Sequence, residues 1–233
     1  MAALSFDGVT MSKKNPDLHG NAPDNSTVAL LLIDVINDLE FVGGDLLAQQ
    51  ARGAAQKIAS LKQRAKLADI PAIYVNDNFG KWRSDFKKLV AHVIEDEASG
   101  KEIAELLWPE ADDYFVLKPK QSGFFATSLD ILLKHLGSET LILAGFTGDI
   151  CILFTASDAH LRDYHLVIPK DCVVSQNEKE NERVLEYMQR VLDADITPSS
   201  ELNLRDLKRE RCQTDSLSAR QIPQAAASAA KLS

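Results

Sequence analysis

LILAGFTGDICILFTASDA, Leu141 to Ala159, decides the fold. Its first half is apolar and closes on Gly145, the pattern of a buried strand. From Asp149 onward the apolar spacing is that of a helix. Cys151 stands just past the join, where side chains leave the body of the fold. A strand that runs through a glycine turn into a helix is the repeating unit of a parallel sheet with crossover helices.

Working outward, the unit recurs along the chain. VALLLI (Val28 to Ile33) is a continuous apolar run, as a central parallel strand covered on both faces requires. PAIYVN (Pro71 to Asn76), YFVLK (Tyr114 to Lys118), Thr140 to Ala144, HLVIP (His165 to Pro169) and ADIT (Ala194 to Thr197) give the other strands. Helical spacing covers Leu46 to Ala68, Glu95 to Leu107 with a break near Gly100, Thr127 to His135 closed by Gly137, Asp149 to Arg162, and Asn177 to Leu192. The expected fold is a three-layer α/β/α, Rossmann-like domain with a six-stranded parallel sheet, over residues 27–198. Residues 1–26 read as a polar arm. Beyond Pro198 the periodicity fades into an Ala-, Ser- and Gln-rich tail, 199–233.

Composition narrows the function. A chain of 233 residues can bury one full α/β core. Its net charge of −8 and pI of about 5.2 give no reason to expect nucleic acid or an anionic membrane as partner. No apolar run approaches the roughly 20 residues that cross a bilayer, and the N-terminus lacks a secretory pattern. Three cysteines without a CxxC fit a reducing cytoplasm better than a disulfide framework or a zinc knuckle.

Ligands of open parallel sheets bind at the carboxyl ends of the strands. Strand one ends in Asp34, strand three in Lys118, and strand four leads through GFTGDI into Cys151. Singly these are a turn cap, a surface charge and a small core residue. Together they are a base, a cation and a nucleophile. A helix N-terminus and a nearby cation lower a thiol's pKa. Asp34 is placed to take the thiol proton and later give it to a leaving amine. The Gly145 to Ile150 loop can present N–H groups to an oxyanion. Phe41, Phe79, Trp82, Phe124, Phe125 and Phe146 follow strand ends, where aromatics pack cores or lids more often than they touch substrate. Phe41, Asn78, Trp82, Phe124 and Phe146 are the candidate substrate contacts, Asn78 and Trp82 as polar and stacking partners.

Three segments, LLIDVIND around Asp34, VLKPKQSGFFATSLD around Lys118 and the quoted stretch around Cys151, resemble the isochorismatase-like cysteine hydrolases in order and spacing, from Val28 to Thr197. That group includes nicotinamidases, N-carbamoylsarcosine amidases and ureidoacrylate amidohydrolases. The resemblance implies a catalytic triad of Asp34, Lys118 and Cys151, an oxyanion hole of the Thr147 and Cys151 N–H groups, and a cis Phe146–Thr147 peptide. It also implies a homo-oligomer, dimer or tetramer. Three positions depart from the family's pattern. Ile36 stands where many members have Gln, and Gly148 where many have Thr. VNDNFGKW carries Asn76, Asp77 and Asn78 but no His, so the nicotinamidase metal motif is missing. The expectation is therefore no metal and no cofactor, a small-molecule substrate, and C–N bond hydrolysis through Cys151. Ile36 and Gly148 leave open a silent member that binds a metabolite or a partner protein. A phosphatase with its nucleophilic Asp after strand one would want a second Asp where Ile36 stands.

Overall fold

The computed structural model describes residues 25–78, 85–95 and 98–208. Its strands are β1 (Val28–Ile33), β2 (Ala72–Asp77), β3 (Tyr114–Lys118), β4 (Thr140–Phe146), β5 (His165–Val167) and β6 (Val173–Val174). Its helices are α1 (Gly44–Leu67), α2 (Phe86–Glu95), α3 (Lys101–Leu106), α4 (Leu129–Leu136), α5 (Leu153–His160) and α6 (Glu178–Leu192).

All six residues of β1 are buried because the sheet is covered on both faces. Alternation along the strand divides its side chains between two cores. Val28, Leu30 and Leu32 pack with α1, α2 and α3. Ala29, Leu31 and Ile33 pack with α4, α5 and α6. The sheet is parallel throughout, in the order β3-β2-β1-β4-β5, with β6 pairing the end of β4. The chain turns back between β1 and β4, and at that switch point the carboxyl ends of neighbouring strands open a crevice. Gly145 closes the fit there. Its φ is +130°, and a Cβ would fall 2.0 Å from the Ile33 carbonyl oxygen.

The α/β architecture is as expected; four details differ. A helix not read from the sequence, α2, occupies Phe86–Glu95, burying Phe86, Leu89 and Val93. The expected Glu95 to Leu107 helix is only α3, starting after Gly100. Gly100 is held so close to the loop after β1 that a Cβ would lie 1.8 Å from the Asn37 carbonyl oxygen. The sixth strand is Val173–Val174, pairing Gly145–Phe146; the ADIT segment makes only a single bridge, Val167 to Asp195. The packed body also runs past Pro198. Arg64 donates to the Ser199 carbonyl at 2.6 Å and to that of Leu202, while Leu202 and Leu204 are buried in the α1 core. Residues 204–208 are helical and Lys208 Nζ donates to the Asp69 carbonyl at 2.7 Å. The expected arm up to residue 24 and the tail from 209 lie outside the described residues. Among the described residues no helix is long and apolar enough to cross a membrane.

Candidate active site

Asp34 is the first residue after β1. It is 5% exposed and has φ +52°, a left-handed conformation that side-chain-bearing residues adopt at a cost. Its backbone N–H still donates to the Val75 carbonyl, so the carboxylate is thrown over the end of β2. Lys118 ends β3 and is completely buried. Its side chain crosses the end of β2 to reach Asp34 Oδ2, with Nζ at 2.9 Å. The same ammonium donates to Cys151 Sγ at 3.4 Å. The three strand ends named from the sequence thus meet at one nitrogen.

A fourth group joins them. Asp77, the last residue of β2, lies opposite Lys118 in the strand register. Its Oδ2 is 3.5 Å from Lys118 Nζ, and its backbone N–H donates to Asp34 Oδ1 at 2.7 Å. Sequence reading weighed Asp77 only as part of a missing metal motif. Its position at the end of the strand between those of Asp34 and Lys118 was the available signal.

Cys151 lies in a wide turn, Gly148–Ile152, that closes i to i+5 before α5 begins. The turn takes up some of its own donors. The Ile150 and Ile152 N–H groups both go to the Thr147 carbonyl, at 3.3 and 3.0 Å, and that of Asp149 goes to Ser175 Oγ at 3.1 Å. The Phe146–Thr147 peptide is cis.

The electrostatics correct one expectation. Burial, followed by the facing Asp34 carboxylate, pushes the Cys151 thiol up from 9.0 to about 12 against the pull of Lys118. The helix start and the cation do not make a resting thiolate here, because desolvation outweighs them. Burial also raises Asp34, opposed by Lys118. For Lys118, burial acts downward, but Asp34, Cys151 and Asp77 together carry it above the ordinary lysine value. These shifts favour a charged Lys118 and a protonated Cys151 thiol, with Asp34 made more basic than an ordinary carboxylate.

Two of the three departures in sequence have packing reasons. Ile36 is fully buried in the α1 core, and its carbonyl accepts from Asn76 Nδ2 at 2.7 Å. Gly148 leaves no open room, since a Cβ there would lie 2.3 Å from Asn181 Oδ1.

The expected substrate contacts are dispersed. Phe146 is 1% exposed and sits in the α1 core, whereas Cys151 packs against the core on the other face of the sheet. Phe124 is 5% exposed, with the Arg162 guanidinium 4.7 Å from its ring centre and Tyr164 beside it. Neither ring is offered to an open surface. Phe41 is exposed, and Asn78 is half-buried with its N–H on the Lys118 carbonyl at 3.0 Å. Trp82 and Phe79 lie outside the described residues. Among the described residues, no group of three or more His, Cys, Asp or Glu side chains is arranged to hold a metal ion.

Known proteins resemble this chain in sequence and fold. The isochorismatase domain model matches residues 28–197. The chain is 40% identical over 174 residues to the uncharacterized isochorismatase family protein YaaI of Bacillus subtilis, covering 75% of this chain and 95% of that one. It is 30% identical over 156 residues to maleamate amidohydrolase of Pseudomonas putida, covering 62% and 71%. Among solved structures, N-carbamoylsarcosine amidase from Thermoplasma acidophilum superposes with a TM-score of 0.59 at 28% identity, covering 76% of this chain and 99% of that one.

Proposed function

The chain belongs to the isochorismatase family, and from that premise we propose that it is a metal-independent cysteine hydrolase acting on the C–N bond of a small amide or ureido metabolite. The observation that carries the reading is the buried Lys118 ammonium, 2.9 Å from Asp34 Oδ2 and 3.4 Å from Cys151 Sγ. Relatives named as an amidohydrolase and an amidase support the bond type.

In this reading the substrate carbonyl carbon approaches Sγ while its oxygen meets the N–H groups of Thr147 and Cys151. The thiol is protonated at rest, so attack and proton transfer to Asp34 go together; the raised pKa of Asp34 suits it to that transfer. Lys118 stays charged and offsets the negative charge that moves from Asp34 to the developing oxyanion. Collapse of the tetrahedral adduct expels the amine, which takes the proton from Asp34 and leaves a thioester on Cys151. Water then attacks the thioester with Asp34 as base, and the departing sulfur recovers that proton. Ile36 and Gly148, which raised the possibility of a silent binder, are accounted for by packing, so no observation favours that alternative. On the same reading the enzyme works in the cytoplasm, as its cysteine usage supports, and as a dimer or tetramer, as the family resemblance supports.

The test is ammonia release from a panel of small amides and ureido acids, with acid quench and mass mapping. The expected result is an acyl adduct on the Cys151 peptide, turnover that survives chelator, and no turnover by Cys151→Ala. Undiminished ammonia release by Cys151→Ala would sink the mechanism.

A further inference from the structure

Asn181 projects from the second turn of α6 and is 9% exposed. Both ends of its carboxamide are engaged. Nδ2 donates to the Val173 carbonyl at 2.9 Å, and Oδ1 accepts from Ser175 Oγ–H at 2.9 Å. Ser175 is completely buried, and its hydroxyl oxygen accepts the Asp149 N–H at 3.1 Å. An unbroken chain of hydrogen bonds therefore runs from α6 and β6 into the turn that carries Cys151. It enters between Thr147 and Cys151, the two residues whose N–H groups the proposed oxyanion hole uses.

Gly148 belongs to the same arrangement. A Cβ there would be 2.3 Å from Asn181 Oδ1, 2.8 Å from Val173 Cγ1 and 3.0 Å from Ser175 Oγ. Real side chains do not approach so closely, so the turn tolerates no side chain at 148 while Asn181, Val173 and Ser175 are in place, Asn181 being the tightest of the three. Residue 148 has been given up to make room for a clamp from another element.

We propose that Asn181, acting through Ser175, is a positioning residue of the nucleophile turn, and that Gly148 and Asn181 work as a matched pair. This rests on the hydrolase reading above. The clamp touches neither substrate nor thiol. It fixes the peptide plane at Asp149, and with it the aim of the flanking donors. A misplacement of about 1 Å in such a site can cost on the order of 100-fold in rate. The partners are uncharged at neutral pH, so the effect is one of aim and not of charge.

The experiment uses p-nitrophenyl acetate, whose acyl group tests thiol attack and oxyanion stabilisation without knowledge of the natural substrate. The nitrophenolate burst is compared with the rate of Cys151 alkylation by iodoacetamide, which requires the thiol but no oxyanion hole. Wild-type protein should show a burst that Cys151→Ala lacks. Asn181→Ala should slow the burst roughly 10- to 100-fold while alkylation stays within about threefold. Asn181→Asp keeps the shape but loses the donor to Val173, so it should not restore the burst. Gly148→Ala should damage the wild-type burst strongly and the Asn181→Ala burst less, because the 2.3 Å clash with Oδ1 is gone while the contacts to Val173 and Ser175 remain; such non-additivity is expected of groups in contact. If Asn181→Ala does not fold, Ser175→Ala, which removes one hydroxyl, makes the same comparison. A wild-type burst that Asn181→Ala and Ser175→Ala both retain within threefold overturns the inference alone. No thiol-dependent nitrophenolate release from wild-type protein, together with no ammonia release from the amide panel, overturns the hydrolase reading and this inference with it; where only an amide is turned over, kcat on that amide replaces the burst in the same comparison.

Discussion

Two lysines are buried among the described residues, and each is paired with an aspartate. Lys62, on α1, places Nζ 2.6 Å from Asp113 Oδ2, 3.1 Å from the Tyr74 hydroxyl and 3.0 Å from the Trp108 carbonyl. Its three protons have three oxygen partners, and the result ties α1 and β2 to the loop before β3. Lys118 lies at the opposite end of the sheet, with Asp34, Asp77 and the thiol of Cys151 around it. Sulfur is a weak acceptor, so the 3.4 Å contact to Cys151 holds the ammonium less firmly than the oxygen partners of Lys62 do. Burial and an ion pair are therefore not what mark a functional site. What distinguishes Lys118 is its place at the carboxyl ends of the strands, its ionisable nucleophilic partner, and an aspartate held at positive φ.

Methionine at each position separates the two roles most widely. Lys118→Met should lower turnover about 1,000-fold or more, because members of a reacting unit fail together, and adding Asp34→Asn should cost little further. Lys62→Met should leave kcat of the folded protein near wild type. Stability should run the other way. Removing Lys62 takes the 2.6 Å partner from Asp113, a largely buried carboxylate that keeps the Glu110 N–H, and breaking a buried pair costs about 3–5 kcal/mol. Without Lys118, Asp34 can take up a proton, since burial already raises its pKa, so the loss should be smaller. Urea unfolding and initial rates on the same variants check both halves. A Lys62→Met enzyme that is stable but inactive would erase the distinction.

Both ends of this comparison were unequally legible in the sequence. Asp34, Lys118 and Cys151 could be found because each closes or follows an apolar run long enough to identify a strand, and strand ends are where parallel sheets do chemistry. Asp77 was hidden because its role depends on register across β2 and β3. Helix α2 shows Phe86, Leu89 and Val93 at helical spacing, yet GKWRSD before it reads as loop. Val173–Val174 is too short for alternation to register, whereas ADIT carries the better strand pattern. The direction of the Cys151 shift was missed for another reason. Sequence supplies the thiol's neighbours but not its depth, and depth decides.

That depth makes the next prediction, smaller in effect. With the thiol at about 12 instead of 9.0, native Cys151 should carry on the order of 1,000-fold less thiolate at pH 8 than an exposed cysteine. Its alkylation rate should climb about tenfold per pH unit from 7 to 10 without levelling near 9. Cys172 is also raised to about 12 and is fully buried, so it should stay unlabelled in the native protein. The sign for stability follows from linkage. Between pH 9 and 12 the folded chain keeps a Cys151 proton that the unfolded chain releases. That contribution is complete below about pH 9 and is lost as pH rises towards 12. Cys151→Ala should therefore flatten the alkaline fall in stability. A rate plateau below pH 8 would mean that Lys118 prevails and that a thiolate is formed at rest.

Tyr74→Phe probes the structural lysine more finely and should have the smallest effect. The Tyr74 hydroxyl accepts from Lys62 and donates to the Leu107 carbonyl at 2.7 Å. Phenylalanine keeps the ring, hence its tilted contact with Phe86 and its place beneath Lys62 Nζ at 5.2 Å. What disappears is one hydroxyl, leaving a buried carbonyl and one ammonium proton without that partner. A buried polar group left unsatisfied costs about 1–3 kcal/mol, so denaturant unfolding should shift by that amount at unchanged slope. The burst from p-nitrophenyl acetate should be untouched, because Tyr74 faces the α1 core and the Lys118 cluster lies beyond the other face of β2. A variant that unfolds like wild type would show that the Lys62 cluster is held by Asp113 and the Trp108 carbonyl alone. A variant that loses the burst would mean the two ends of the sheet are coupled.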